Sequence, residues 1–165
     1  MSALEPGKMA PEIALPSLSG DRFSLEAART RGPVIAAFFK VSCPTCQYTF
    51  PFLERLHQAY PREKVTVFGV SQNEPADTAA FAEKFGVTFP LCLDDTRSYP
   101  VSNQYGLTNV PTIFLISPDG KIEITSVGWL RADFDDLSKR LAAAAGVHPA
   151  KIFQHKEEVV EYMSA

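Results

Sequence analysis

Val34-Ile35-Ala36-Ala37-Phe38-Phe39-Lys40-Val41-Ser42-Cys43-Pro44-Thr45-Cys46 is the stretch that decides how this chain folds. Val34–Phe39 is an unbroken apolar run, the pattern of a strand buried on both faces. Just beyond it, residues 44–60 set Phe50, Leu53, Leu56 and Tyr60 along one side, which predicts a helix that Pro61 stops. A strand therefore delivers two thiols to a helix N-terminus. The free amides and the macrodipole stabilise negative charge there, so a first cysteine in that setting ionises with a pKa of ~3.5–7.5 instead of about 8.5. The second cysteine, three positions on, lies one turn away on the same helix face, close enough to close a small disulfide. Thiol redox chemistry is the expectation that follows.

Outward from this stretch, strands and helices alternate. Pro51 falls inside the predicted helix and should kink it. Val65–Val70 reads as the next strand, followed by a helix from Pro75 that carries Phe81 and Phe85 one turn apart and ends at Gly86. Leu91–Leu93 reads as a short strand, and Tyr99–Tyr105 as a short helix that tolerates Pro100 only in its first turn. Thr112–Ile116 and Lys121–Ser126 form a hairpin around Ser117-Pro118-Asp119-Gly120. Arg131–Ala145 is a helix with Phe134, Leu137 and Leu141 inward, acids early and Lys139 and Arg140 late, as the macrodipole favours. Ile152, Val159, Val160 and Met163 suggest one more amphipathic helix in 147–165. The expected class is α/β, as one domain over 1–165 with no internal repeat or low-complexity linker.

Bulk properties narrow the function. A chain of 165 residues suits one compact domain, burying roughly 70% of its unfolded surface without need of staples. Three cysteines are too few for a disulfide scaffold, and an odd count leaves one thiol unpaired. A net charge of -3 offers no basic excess to displace counterions, so no nucleic acid partner is expected. Glu5, Pro6, Pro11, Glu12 and Pro16 stand where a signal peptide needs basic residues and an apolar core. No stretch reaches the roughly 20 apolar residues of a membrane helix, and no membrane partner is expected. As the chain stands, the expectation is a bacterial cytoplasmic protein, or a periplasmic one if a leader has been removed.

The order of strand, Cys43-Pro44-Thr45-Cys46, helix, strand, helix, then Val110-Pro111-Thr112, a hairpin and a final helix, resembles the thioredoxin-like superfamily over about 33–145. Several details resemble its TlpA-type, AhpC/TSA-related thiol-disulfide oxidoreductases. They are Gly7-Lys8-Met9-Ala10-Pro11-Glu12 with Leu15-Pro16 and Leu18-Ser19-Gly20, Pro51 after Cys46, an insertion at about 72–90, and Asp119-Gly120 in the hairpin. The resemblance implies a three-layer fold: a central mixed sheet with helices on both faces, an inserted helix, an N-terminal extension over 1–32 and a tail over 146–165. It also implies dithiol-disulfide exchange, with Cys43 attacking a substrate disulfide and Cys46 resolving the mixed disulfide. Substrates would be protein or low-molecular-weight disulfides. An electron donor such as a thioredoxin reductase or glutathione system is implied, with roles in antioxidant defence and cell redox homeostasis, and no cofactor.

The same resemblance assigns substrate contacts to Pro44, Thr45, Val110 and Pro111, and sets Trp129 in a loop beside the active site, either as an apolar contact for substrate or as an anchor for the last helix. The position matching Pro111 is cis in thioredoxin-like proteins and presents the preceding backbone, here Val110, to an extended substrate segment. Chemistry agrees: a cis bond before any other residue costs ~2.5–4 kcal/mol, and proline brings no amide hydrogen to the site. Other family features are missing. The buried acid six residues before the first cysteine is Ala37, the glutamate three after the second is Thr49, and the tryptophan before the first is Ser42. Lys40 could lower the Cys43 thiolate pKa if its ammonium reaches the sulfur; the plainer reading is a solvated lysine.

Other functions fit less well. Val41-Ser42-Cys43-Pro44-Thr45 partly matches a peroxiredoxin's peroxidatic stretch, but the required threonine and proline are Lys40 and Ala36, and Val110-Pro111 stand where its arginine belongs. A non-catalytic thioredoxin-like binding module would be expected to lose a cysteine. Cys-x-x-Cys is half a zinc site, and Cys92, His57, His148 and His155 form no second pair, so no metal is expected. Cys92 lies in the apolar Phe89–Leu93 run, where a buried structural thiol is the default over a second resolving thiol.

Overall fold

A computed structural model describes residues 2–165. Their elements run β1 (Ala14–Pro16), β2 (Arg22–Ser24), α1 (Leu25–Arg29), β3 (Val34–Phe39), α2 (Pro44–Ala59), β4 (Thr66–Ser71), α3 (Pro75–Phe85), β5 (Leu91–Leu93) and α4 (Pro100–Gln104). There follow β6 (Thr112–Ile116), β7 (Ile122–Val127), β8 (Trp129–Leu130), α5 (Arg131–Ala145) and β9 (Tyr162–Met163). Five strands form one sheet in the order β5-β4-β3-β6-β7. The β4 strand runs parallel to both β3 and β5, and β6 antiparallel to β3 and β7, so the sheet is mixed as expected.

The apolar run of β3 explains the layers. All six of its residues are buried, and alternate side chains point to opposite faces. Ile35, Ala37 and Phe39 join a core with Phe50, Leu53 and Leu56 of α2, Phe81 of α3 and Phe134, Leu137 and Leu141 of α5. Val34, Ala36 and Phe38 join a second core with Leu25, Ala28, Val101, Tyr105, Phe68 and Phe114. Each large apolar side chain so buried stabilises the fold by about 1.5–3 kcal/mol. Gly69 in β4 is required by this packing, because a Cβ there would lie 2.7 Å from Leu91 Cδ2 and 3.3 Å from the rings of Phe39 and Phe50. Pro51 sits within α2 and leaves the carbonyl of Gln47 without its ladder donor.

The tail differs from expectation. Beyond α5 there is no helix: residues 147–165 run as turns and extended chain to β9, which pairs antiparallel with β8. Its backbone is satisfied by the body of the protein instead of by helical bonds. The Ala150 amide donates to the Tyr60 hydroxyl (3.0 Å), Arg55 donates to the Ile152 carbonyl (3.0 Å), and the Val160 amide donates to the Tyr48 hydroxyl (3.1 Å). Ile152, Phe153, Val159 and Met163 pack on the α2–α5 core. Tertiary contact has overridden a weak local preference, as short isolated helices allow.

Candidate active site

The loop after β3 is pinned before it reaches the thiols. Asn73 Oδ1 accepts from the Val41 amide (2.9 Å), and Gln47 Nε2 donates to the Val41 carbonyl (2.9 Å). Cys43 is the N-cap of α2, with Pro44 in the first turn. Its Sγ accepts from the Cys46 amide at 3.0 Å, the role a serine or aspartate oxygen plays at other helix starts. On its other side the thiol donates to the Val110 carbonyl at 3.5 Å. Cys43 is half-buried.

Cys46 lies beneath it, fully buried. Burial pushes its thiol well above the usual range, and hydrogen bonding and proximity to Cys43 push it further. No carboxylate or imidazole contributes to that environment. Ala37 is fully buried in β3, and the buried Thr49 spends its hydroxyl on the Thr45 carbonyl (2.7 Å), so neither supplies a base.

The opposing wall is the loop before β6. The Val110–Pro111 peptide is cis, as expected. The Pro111 carbonyl accepts from the Gly128 amide (2.8 Å), and Thr112 Oγ1 donates to the Asn109 carbonyl (2.8 Å). Between this loop and Cys43 opens a cavity of about 500 Å³, walled also by Pro44, Lys40, Tyr99 and Asn103. Lys40 is exposed on its rim.

Sequence reasoning missed what holds the far wall. The buried Asp94 carboxylate accepts from the Ser102 amide (2.8 Å), the Ser102 hydroxyl (2.7 Å) and the Val101 amide (3.2 Å), and Gln72 Nε2 donates to Ser102 Oγ (3.0 Å). These bonds tie α4 to the ends of β4 and β5. Tyr99, at the N-cap of α4, takes a left-handed backbone (φ 50°), a strained conformation for a side-chain-bearing residue. Only Asp94 ahead of Pro100 hinted at this in the sequence.

Two sequence-derived contacts require correction. Trp129 is 1% exposed and cannot reach substrate. It packs against Tyr48, Phe52, Phe134 and Phe153, and its indole N–H donates to the Val160 carbonyl (2.8 Å), because the tail covers it. Thr45 is also buried, and its hydroxyl donates to the Ser164 carbonyl (2.7 Å) rather than facing the cavity. Cys92 lies in the core on the opposite side of the sheet from Cys46, which rules it out as a second resolving thiol. Burial pushes its thiol up to about 12. Among the described residues no three His, Cys, Asp or Glu side chains gather as a metal site, and no helix is long and apolar enough to cross a membrane.

Residues 6–125 match the AhpC/TSA family. The thiol-disulfide oxidoreductase ResA of Geobacillus thermodenitrificans (strain NG80-2) is 34% identical over 141 residues, spanning 85% of this chain and 78% of that protein. A thiol:disulfide interchange protein from Bacteroides sp., solved in solution, superposes with a TM-score of 0.72 at 25% identity, over 86% of this chain and 92% of that one. The thioredoxin domain of a thiol-disulfide oxidoreductase from Bacteroides vulgatus superposes with a TM-score of 0.75 at 23% identity, over 84% and 99% of the two chains, a likeness of fold.

Proposed function

The chain belongs to the AhpC/TSA family, and from that premise we propose that Cys43 and Cys46 carry its chemistry as a two-electron dithiol-disulfide couple. The protein is a thioredoxin-like thiol-disulfide oxidoreductase acting on disulfide-containing substrates. The carrying observation is the pairing of a half-buried Cys43 Sγ, capped by the Cys46 amide at 3.0 Å, with a fully buried Cys46 one turn below.

In this reading Cys43 reacts as thiolate. Its sulfur attacks one sulfur of the substrate disulfide, a Cys43–substrate disulfide forms, and the other half leaves as thiolate. The Cys46 thiol then loses its proton and attacks Cys43 Sγ, releasing the second half. Two substrate thiols have been made and one Cys43–Cys46 disulfide, which a dithiol donor reduces to complete the cycle. The helix N-terminus favours the charge on Cys43 in the first step and again when Cys43 is the leaving group. Val110 lines the approach with a carbonyl that can accept from a substrate backbone amide once Cys43 is deprotonated. A peroxidase reading finds less support, since no arginine lines the cavity that would hold the peroxide.

The test is a pair of substitutions. Cys43→Ser is expected to abolish reduction of insulin disulfides while the fold persists, and Cys46→Ser to accumulate mixed disulfides on Cys43 detectable by mass spectrometry. Retained turnover in Cys43→Ser, or trapping mainly on Cys92, would overturn the assignment.

A further inference from the structure

The tail ends against the catalytic turn, and its last residues pair with β8 and bond Thr45 between the two cysteines. The pairing of Trp129 with Met163 and Leu130 with Tyr162 fills the open edge of β8, and the Arg131 amide continues the ladder by donating to the Glu161 carbonyl (3.0 Å). The Ser164 carbonyl is held by Thr45, which lies between the two cysteines. Gly128 makes this approach possible. A Cβ there would stand 2.6 Å from the Met163 carbonyl oxygen and 3.0 Å from the Ala165 amide nitrogen, and its φ of +81° also favours glycine. Since the Gly128 amide bonds the Pro111 carbonyl, the tail abuts the same loop that presents Val110. Ala165 forms one edge of the cavity beside Cys43.

One flank of Cys43 is thus occupied by this chain itself, and the other opens into the 500 Å³ cavity edged by Lys40, Asn103 and Asn109. That space matches a small ligand, whereas an extended protein segment needs exposed backbone edge to pair with, and on this flank the tail already fills it. We propose that residues 162–165 form a built-in strap that closes half of the substrate groove and sets the substrate class. The class is disulfides of small molecules and short flexible peptides; disulfides seated in a folded protein surface react only when the strap lifts. The proposal rests on Cys43 as the attacking thiol.

The strap is built to lift without the rest of the tail. Upstream, Arg55 holds Glu157 through two bonds of 2.7 Å, and Phe153 sits among Phe52, Trp129 and Phe134. By contrast Tyr162 is 61% exposed, and Ser164 and Ala165 are exposed, so of the last four residues only the half-buried Met163 packs on the core.

The experiment compares the full chain with a variant lacking residues 162–165 and with Glu157→Gln, which loosens the upstream anchor and leaves the strap's own contacts in place. The substrates are bis(2-hydroxyethyl) disulfide and insulin. Deleting the strap removes a few hydrogen bonds that a protein substrate must displace, so its kcat/KM for insulin should rise about tenfold. Turnover of hydroxyethyl disulfide should change only as far as the loss of Ala165 from the cavity edge alters it, so the ratio of insulin to hydroxyethyl turnover should rise, while Glu157→Gln should leave that ratio as in the parent. An unchanged ratio of insulin to hydroxyethyl turnover in the deletion variant overturns the strap while leaving Cys43 as nucleophile. A parent that reduces neither disulfide overturns both readings.

Discussion

Cys46 has no base, and its resolution step should therefore follow hydroxide. Once Cys43 is tied up in a mixed disulfide, its charge and hydrogen bond no longer act on Cys46, but burial, the largest cause of the raised Cys46 pKa, persists. An ordinary thiol near 8.5 is about 3% thiolate at pH 7, and a thiol held higher is less ionised still. Below its pKa each pH unit multiplies the thiolate fraction tenfold, so resolution should accelerate about 100-fold between pH 6.5 and 8.5. A stopped-flow experiment with an aromatic disulfide such as DTNB separates the steps, since Cys43 attack releases a first coloured thiolate and Cys46 attack a second. The second phase should carry the steep pH dependence. A second phase independent of pH over this range would refute the argument, because it would require a proton acceptor beside Cys46. Thr49→Glu extends the test: it sets a carboxylate one turn past Cys46 in a buried position where its pKa rises towards neutrality, and the pH dependence should flatten.

Two further outcomes follow from polar groups outside the dithiol. Asp94→Ala leaves the amides of Val101 and Ser102 and the Ser102 hydroxyl without their acceptor in a site 3% exposed, which should cost about 2–4 kcal/mol in denaturant unfolding; a loss under half of that would show that α4 is held by packing alone. Arg55, by hydrogen bonds first and charge second, together with the Gln154 amide, holds the Glu157 carboxyl down to about 2. A depressed carboxylate stabilises its structure above the ordinary carboxylate range and loses that contribution as pH falls towards 2. The indole N–H resonance of the single tryptophan, Trp129, which bonds the Val160 carbonyl, should accordingly hold steady from pH 7 to about 4.5 and shift only below; movement already near pH 6 would detach Glu157 from the tail's anchoring.

The residues that were legible in the sequence are those whose partners lie nearby or whose burial imposes a pattern. The β3 run is apolar throughout because helices cover both faces, so six residues announce a central strand without any knowledge of what packs on them. Cys43 and Cys46 are legible because one helical turn fixes their relation before any tertiary contact forms. The absent bases were legible too, since Ala37 and Thr49 cannot ionise whatever surrounds them. Thr45 and Trp129 misled for the opposite reason. Chain order puts them beside the active site, and they are there, but their exposure depends on residues far away in sequence: Ser164 lies 119 positions from Thr45 and Val160 lies 31 from Trp129. The tail that covers them carries only a weak helical pattern, which its path does not follow, because Tyr48, Arg55 and Tyr60 of the α2 segment satisfy its backbone and the α2–α5 core takes its apolar side chains. Local pattern thus records the chemistry of the site, and long-range bonds decide what can reach it. For this chain the two cysteines say that disulfides are exchanged, while Gly128, Thr45 and the last turn of backbone against them bear on which disulfides are admitted.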